Sequence, residues 1–291
     1  MAIGPEHEAA QPPVGEGFTD AVTYAFGDRA AALYGLARLG LSPAPGGGVQ
    51  ASGLGVLFSG REPVGVVAEG GVALGASAGW AALELPGMSA AVESPLERWR
   101  VAMAAGDGAG FELELAAISG PAPFEAGGME GYEQLCRVSG TAAGQPVECL
   151  GQRGHSWGAP DWSEIALARS LGAWLEDGSA LALTAIRPAG SDDHADEQVW
   201  AALLDAEGTV SIADPRLSTT YDGEGHQRRA GLELWVGEED EHPRRGAGQV
   251  LCGSSLELGQ LRLDCAFFAW QMDGRDGVGR YDVLRRAEAG A

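Results

Sequence analysis

Apolar and polar positions alternate with a period of two along most of this chain. The clearest stretch sets Trp99, Val101 and Met103 against Arg98, Arg100 and Ala102, turns at Gly106-Asp107-Gly108, then sets Phe111, Leu113 and Leu115 against Glu112 and Glu114. Neighbouring strand side chains point to opposite faces, so this stretch predicts a hairpin with one dry and one wet face. The same pattern predicts strands over 53–58, 64–68 and 72–76, with turns at 59–63 and 69–71. It resumes over 130–138, 146–150, 172–176, 179–186, 199–205, 209–213, 230–236, 249–253, 261–270 and 279–284, and most of the connections carry Gly. Residues 28–39 read as a strand pair or an irregular strand. Residues 163–171 contain good helix formers and stay open between a short helix and an extended segment.

Short strands with Gly-rich turns about every ten residues point to an all-β barrel or sandwich. At 291 residues the chain is long enough for two halves of ordinary size. The Pro- and Gly-rich segment Ser119–Gly128 (SGPAPFEAGG) is the best place to divide it, giving domains over 1–122 and 123–291.

Composition narrows the partners. A formal net charge of -22 repels phosphate backbones and anionic lipid headgroups, which argues against nucleic acid. All cations are Arg and neither Lys nor Asn occurs, a pattern of GC-rich coding rather than a functional device. The opening residues have no basic start and no apolar run, and Gly or charge interrupts every apolar stretch, so the expectation is a cytoplasmic protein without a membrane span. Oligomeric state is not legible. Cys136, Cys149, Cys252 and Cys265 lack zinc spacing; each pair brackets a hairpin, and the expectation is buried free thiols rather than disulfides. No metal and no cofactor is called for.

The densest chemistry is Gly151–Trp162, GQRGHSWGAPDW, placed after a strand ending near Leu150. His155 titrates near neutrality and Asp161 can hold it or act as an acid, which makes these two the candidate catalytic residues. Arg153, Trp157 and Trp162 are candidate substrate-binding residues, the indoles offering flat apolar surface with one donor each. An equally weighted alternative makes the tryptophans a barrel plug, with Arg153 and Asp161 a buried pair and His155 a hydrogen-bonded core residue.

The segment resembles the signature G-x-R-D-H-S-W-G-x-R-D-W of uncharacterised bacterial proteins in the carotenoid 1,2-hydratase (hydroxyneurosporene synthase)-like superfamily. The matches are Arg153, His155, Ser156, Trp157, Gly158, Asp161 and Trp162, with Asp273, Gly274, Arg275 and Gly277 near the end; the regions 20–48 and EGYEQLCRVSGTAAGQPVECLG also fit the expected order. The signature's acid before the His is Gly154 here, and its second Arg is Ala159. The resemblance implies two lipocalin-like antiparallel barrels or half-barrels around a hydrophobic ligand. Carotenoid hydratases, tocopherol-cyclase-like enzymes and fungal pericyclases share that architecture while running different chemistries.

Weaker candidates for substrate binding are Asp264 and Trp270, on the face of the 261–270 strand opposite Leu263, Cys265 and Phe267; an acid there would be either a raised-pKa proton donor or a surface acid. His194, His226 and His242 read as solvent-exposed loop residues, and the runs 192–197 and 237–245 as solvated loops. Ser156 and His155 point to opposite faces of a strand, so a hydrolase triad is rejected. The resulting expectation is an enzyme that binds a small hydrophobic isoprenoid-, terpenoid- or polyketide-like molecule and uses acid–base groups for hydration, isomerisation or cyclisation. The alternative is a non-catalytic carrier or sensor of such a molecule.

Overall fold

The computed structural model describes residues 2–75, 79–106, 108–191, 193–237 and 239–287, without the side chain of His194. Ala76 of an expected strand, Asp107 of the Gly-Asp-Gly turn, Asp192 and Glu238 of the charged loops, and the expected exposure of His194 lie outside these. Contacts group the chain into two compact units, one from residues 1–124 and 128–160, the other from 125–127 and 161–291.

The first unit opens with a short 3-10 turn (Pro5–Glu8) and continues as a meander of β1 (Thr19–Asp28), β2 (Leu33–Pro43), β3 (Val49–Ser59) and β4 (Glu62–Leu74). It then runs through β5 (Leu83–Leu85), β6 (Met88–Ser94), β7 (Arg98–Ala104), β8 (Gly110–Ala117), β9 (Ala122–Ala126), β10 (Met129–Ala142) and β11 (Gln145–Gly158). The sheet order is β4-β3-β2-β1-β11-β10-β8-β7-β6-β5, with β9 on β10, so the last strand returns to lie antiparallel beside the first. The expected hairpin is β7–β8: Trp99 pairs with Leu115, Val101 with Leu113 and Met103 with Phe111, all buried, while Arg98, Arg100, Glu112 and Glu114 face out. The sheet curls so that these side chains meet Val22, Tyr24 and Phe26 of β1 and Cys136 and Val138 of β10 in one core.

The second unit repeats the plan with β12 (Ile165–Leu175), β13 (Ala180–Pro188), β14 (Gln198–Leu204), β15 (Thr209–Ser211), β16 (Asp214–Tyr221), β17 (Gln227–Trp235), β18 (Arg244–Leu258), β19 (Leu261–Met272) and β20 (Arg275–Arg286). Its order is β15-β14-β13-β12-β20-β19-β18-β17-β16; again the last strand pairs with the first. Leu171, Leu181, Leu232, Phe268, Trp270 and Tyr281 fill its own core. The protein is therefore all-β, built of two curled antiparallel half-barrels. Among the described residues no helix is long and apolar enough to cross a membrane.

Several expectations change. Residues 129–158 pair into the first sheet, so the units part near Pro160 and not at 122–123. The open segment 163–171 is extended from Ile165 onward, because Ile165 pairs with β13 and the residues from Leu167 to Trp174 gain ladder partners on both sides. Residues 214–221, which lie between two expected strands, form strand β16. Cys136 pairs with Gly151 and Cys265 with Ser254, so neither cysteine faces its mate; all four are free thiols, three of them buried.

Candidate functional site

Strand β11 does not stop near Leu150. It continues to Gly158, which makes the GQRGHSWG segment a central strand flanked by β1 and β10. Alternation then sends Arg153, His155 and Trp157 inward and Gly154 and Ser156 to the other face. Cross-strand register sets Val22 and Tyr132 opposite His155, and Tyr24 and Gln134 opposite Arg153. Three of the expected site residues thus come together inside the first half-barrel.

Two carboxylates that carried no signal in the sequence reading complete the cluster. Asp20, at the start of β1, places Oδ1 2.6 Å from Nε2 of His155. Its Oδ2 accepts from the Trp80 indole at 3.0 Å and from the Gln11 amide at 2.8 Å. A carboxylate surrounded by donors is an acceptor only, so the proton between it and the imidazole belongs to Nε2. Nδ1 of His155 is then a bare lone pair; it is buried and has no partner among the described residues. Burial depresses the His155 pKa below its ordinary value; the Asp20 bond opposes that shift and the Arg153 charge reinforces it, so the resting imidazole is neutral. The rings of Trp157, Tyr132 and Trp80 wall it edge-on at 5.2, 5.7 and 5.8 Å.

The second carboxylate, Glu8, arrives from the segment ahead of β1. Its Oε2 lies 2.7 Å from the Arg153 guanidinium, with side chains 3% and 0% exposed. Arg153 also donates to the Tyr132 hydroxyl at 2.5 Å and lies over the Trp99 and Tyr132 rings at 4.9 and 5.0 Å. Burial alone would weaken the guanidinium's hold on its proton, but Tyr132, Glu8 and Tyr24 outweigh it, so Arg153 stays charged. Burial pushes the Tyr24 hydroxyl up to about 12. Sequence spacing gave no hint of Glu8 or Asp20, because both reach β11 across more than a hundred residues.

Other expected site residues lie elsewhere. Asp161 is exposed and its carboxylate caps the Ser163 amide and hydroxyl at 2.8 and 2.6 Å, bonds that lower its pKa; the acid on His155 is Asp20. Arg153 pairs with Glu8, so the alternative pairing with Asp161 fails as well. Trp162 is half-buried in the turn before β12. Asp264 is not a surface acid: at 2% exposure it meets Arg285, Arg262 at 2.9 Å and the Ser255 hydroxyl. Trp270 packs into the second core against Phe268 at 5.7 Å. Both are integral to the second unit's fold. His226 is half-buried and bonded to Arg262 at 2.8 Å rather than free in solvent, whereas His242 is exposed. Glu197, in a run taken for a solvated loop, is buried against Arg169 and Arg187.

Gly154, where the resembled signature carries an acid, faces a carboxylate on the neighbouring strand. A Cβ on Gly154 would lie 2.6 Å from both carboxylate oxygens of Glu133, which stands opposite on β10 and accepts from Gln152 at 2.9 Å. Strand β10 supplies a carboxylate to the face where Gly154 supplies none. No group of three or more His, Cys, Asp or Glu positioned for a metal occurs among the described residues. The second unit has an open groove of about 920 Å³ lined by residues including Arg216, Glu233, Arg245 and Asp273; none of the expected catalytic or binding residues lines it.

A curled antiparallel half-barrel, duplicated in plan and holding a buried Asp–His pair inside its first copy, defines an all-β protein with an interior polar centre. The chain belongs to the family described as a domain of unknown function, DUF7064, whose model matches residues 4–287 and so takes in Glu8 as well as β20. Among solved structures it is similar to CghA in complex with Sch210972, at 11% identity and a TM-score of 0.64 over 94% of this chain and 90% of that one. It is also similar to kievitone hydratase from Nectria haematococca, at 11% identity and a TM-score of 0.63 over 97% and 93%. These likenesses establish the fold. No curated protein matches the chain.

Proposed function

We propose that this protein is an enzyme of the hydratase or cyclase kind, in which the Asp20–His155 pair moves a proton on a small hydrophobic isoprenoid- or polyketide-like substrate held in the first half-barrel. The observation that carries this reading is Nδ1 of His155, an acceptor buried among three aromatic rings with nothing to accept from. A buried polar atom left without a partner costs about 1–3 kcal/mol, and a substrate hydroxyl or water aimed at it recovers that cost. The neutral imidazole takes a proton at Nδ1, the resulting imidazolium is stabilised by Asp20 through Nε2, and the proton returns to a neighbouring carbon. In a hydration the oxygen of water bonds one carbon of the double bond and its proton reaches the other; in an isomerisation or cyclisation the proton moves within one molecule. The walls of Trp80, Tyr132 and Trp157 suit an apolar body and keep water from competing.

Support comes from the signature's resemblance to carotenoid 1,2-hydratase-like proteins and from the fold shared with a protein named as a hydratase. Asp20 takes the role expected of Asp161. The test is incubation of the purified protein with a panel of polyene, prenylated and polyketide compounds, followed by mass spectrometry for gain of water or for an isomer of unchanged mass. His155→Gln should lose about 10²–10⁴-fold in turnover with the fold intact. Asp20→Asn should lose a substantial part of that, because the ring then turns or changes tautomer. Full activity in both variants rejects the reading, and a co-purifying compound recovered unchanged makes the half-barrel a carrier.

A further inference from the structure

A carboxylate with four donors in the first unit does not belong to its sheet. Glu8 receives the Arg153 guanidinium at 2.7 Å, the Tyr132 hydroxyl at 3.0 Å, the Trp99 indole at 3.2 Å and the Leu96 amide at 3.2 Å. All four donors are fixed on the half-barrel, on β7, β10, β11 and the turn ahead of β7. The carboxylate reaches them on a strap, residues 2–18, that has no ladder partner. Beyond Glu8 the strap is held by the Gln11 amide on Asp20, the His7 ring stacked on Trp157 at 5.9 Å, and Ile3 and Phe18 against Tyr132 and Trp157. Most of its remaining residues are exposed, Val14 to 78%.

We propose that Glu8 stands in for the anionic head of the protein's ligand: the site formed by Arg153, Tyr132, Trp99 and the Leu96 amide takes a carboxylate borne on a small apolar body, which exchanges with Glu8 and releases the strap. A guanidinium, a phenol, an indole N–H and a backbone N–H converging on one point form a complete carboxylate site. Arg153 is wholly buried and cannot remain so without a counter-charge. A neutral ligand therefore cannot displace Glu8, whereas an anion can. Tyr132 donates to the Glu8 carboxylate, and its ring stands 5.7 Å from that of His155 and 6.3 Å from that of Trp157, so a head seated there brings its apolar body beside the imidazole and the Trp157 indole. The inference rests on the first half-barrel being the ligand chamber and supplies the substrate class for it.

The test uses the whole chain at physiological ionic strength with straight-chain carboxylates from butyrate to dodecanoate and their matched primary alcohols. A Glu-specific protease can cut after Glu8 only when that side chain leaves its pocket, and mass spectrometry identifies the cut. At least one acid, and not its alcohol, should raise the rate of that cleavage severalfold. Glu8→Gln should bind the same acid about tenfold more tightly, because the internal competitor has lost its charge. If no acid in the series speeds cleavage of the wild-type protein more than its alcohol does, the proposal is overturned, whether or not the variant folds. His155→Gln keeps the acid effect while losing turnover if both readings hold. An absent acid effect beside lost turnover removes only this proposal, and an acid effect beside full turnover removes only the catalytic one.

Discussion

Removing the Glu8 side chain should unsettle the first unit more than any other single truncation in the segment ahead of β1. The Glu8→Ala variant leaves the Arg153 guanidinium, 0% exposed, without its counter-charge and strands three further donors. Breaking a buried ion pair by deleting one partner costs about 3–5 kcal/mol. Water entering beneath the shortened strap should hold the value to the lower part of that range, about 3 kcal/mol. Taking the charge away as well removes the penalty. Glu8→Ala combined with Arg153→Met removes both members of this ion pair, and the pair should recover about 2 kcal/mol relative to the sum of the two single variants. The two units are followed separately. Urea-dependent hydrogen exchange read on peptides from β10 and β11 follows the first unit alone. A Glu8→Ala variant within about 1 kcal/mol of wild type, or a double variant as unstable as the sum of the singles, would refute the view that Glu8 is what allows Arg153 to be buried.

The acid side of the stability curve should report His155. Its folded pKa is depressed by burial, so below the unfolded value near 6.5 the unfolded chain binds the extra proton; stability is complete above that pH and falls as pH drops below it, by up to about 1.4 kcal/mol per pH unit. Urea titrations from pH 7.5 to 5 should show that slope in wild type and a shallower one in His155→Gln. Gly154→Asp, which restores the signature's acid, sets a second carboxylate against Glu133 and should cost about 1–3 kcal/mol, most of it relieved by Glu133→Ala in the same chain; thermal unfolding of the three variants checks this. Asp161→Asn keeps the exposed turn capped and should leave turnover unchanged and stability within about 0.5 kcal/mol, measured in the assays used for His155.

The hairpin at Trp99–Leu115 was legible because a sheet with one wet face writes its period directly into the chain. Strand β11 was misjudged at its far half for the opposite reason. With Arg153 and His155 buried on one face and Gln152 on the other, it has no wet face, and its polar residues look like a loop until their partners are known. The triplet Arg153, His155 and Trp157 could be picked out by type and, once the strand is recognised, by alternation. Their counter-charges could not, since Asp20 meets His155 through the closing pair β1–β11, which links the two ends of a unit, and Glu8 reaches Arg153 from the segment ahead of β1. Asp161 was misassigned for the same reason: nearness in sequence stood in for nearness in space, and a Gly-Ala-Pro step carries the chain out of β11 before it. The duplication of plan is likewise invisible in residues, because only the order of hydrogen-bonded strands is repeated.

Long-range proton–nitrogen correlation on the histidine-labelled protein addresses the heart of the account, with His155→Gln assigning the resonance. The ring should be neutral at pH 7 with its proton on Nε2, stay neutral to below pH 6.5, and shift at Nδ1 when a ligand enters. An imidazolium at pH 7, or a ring protonated on Nδ1, would contradict it.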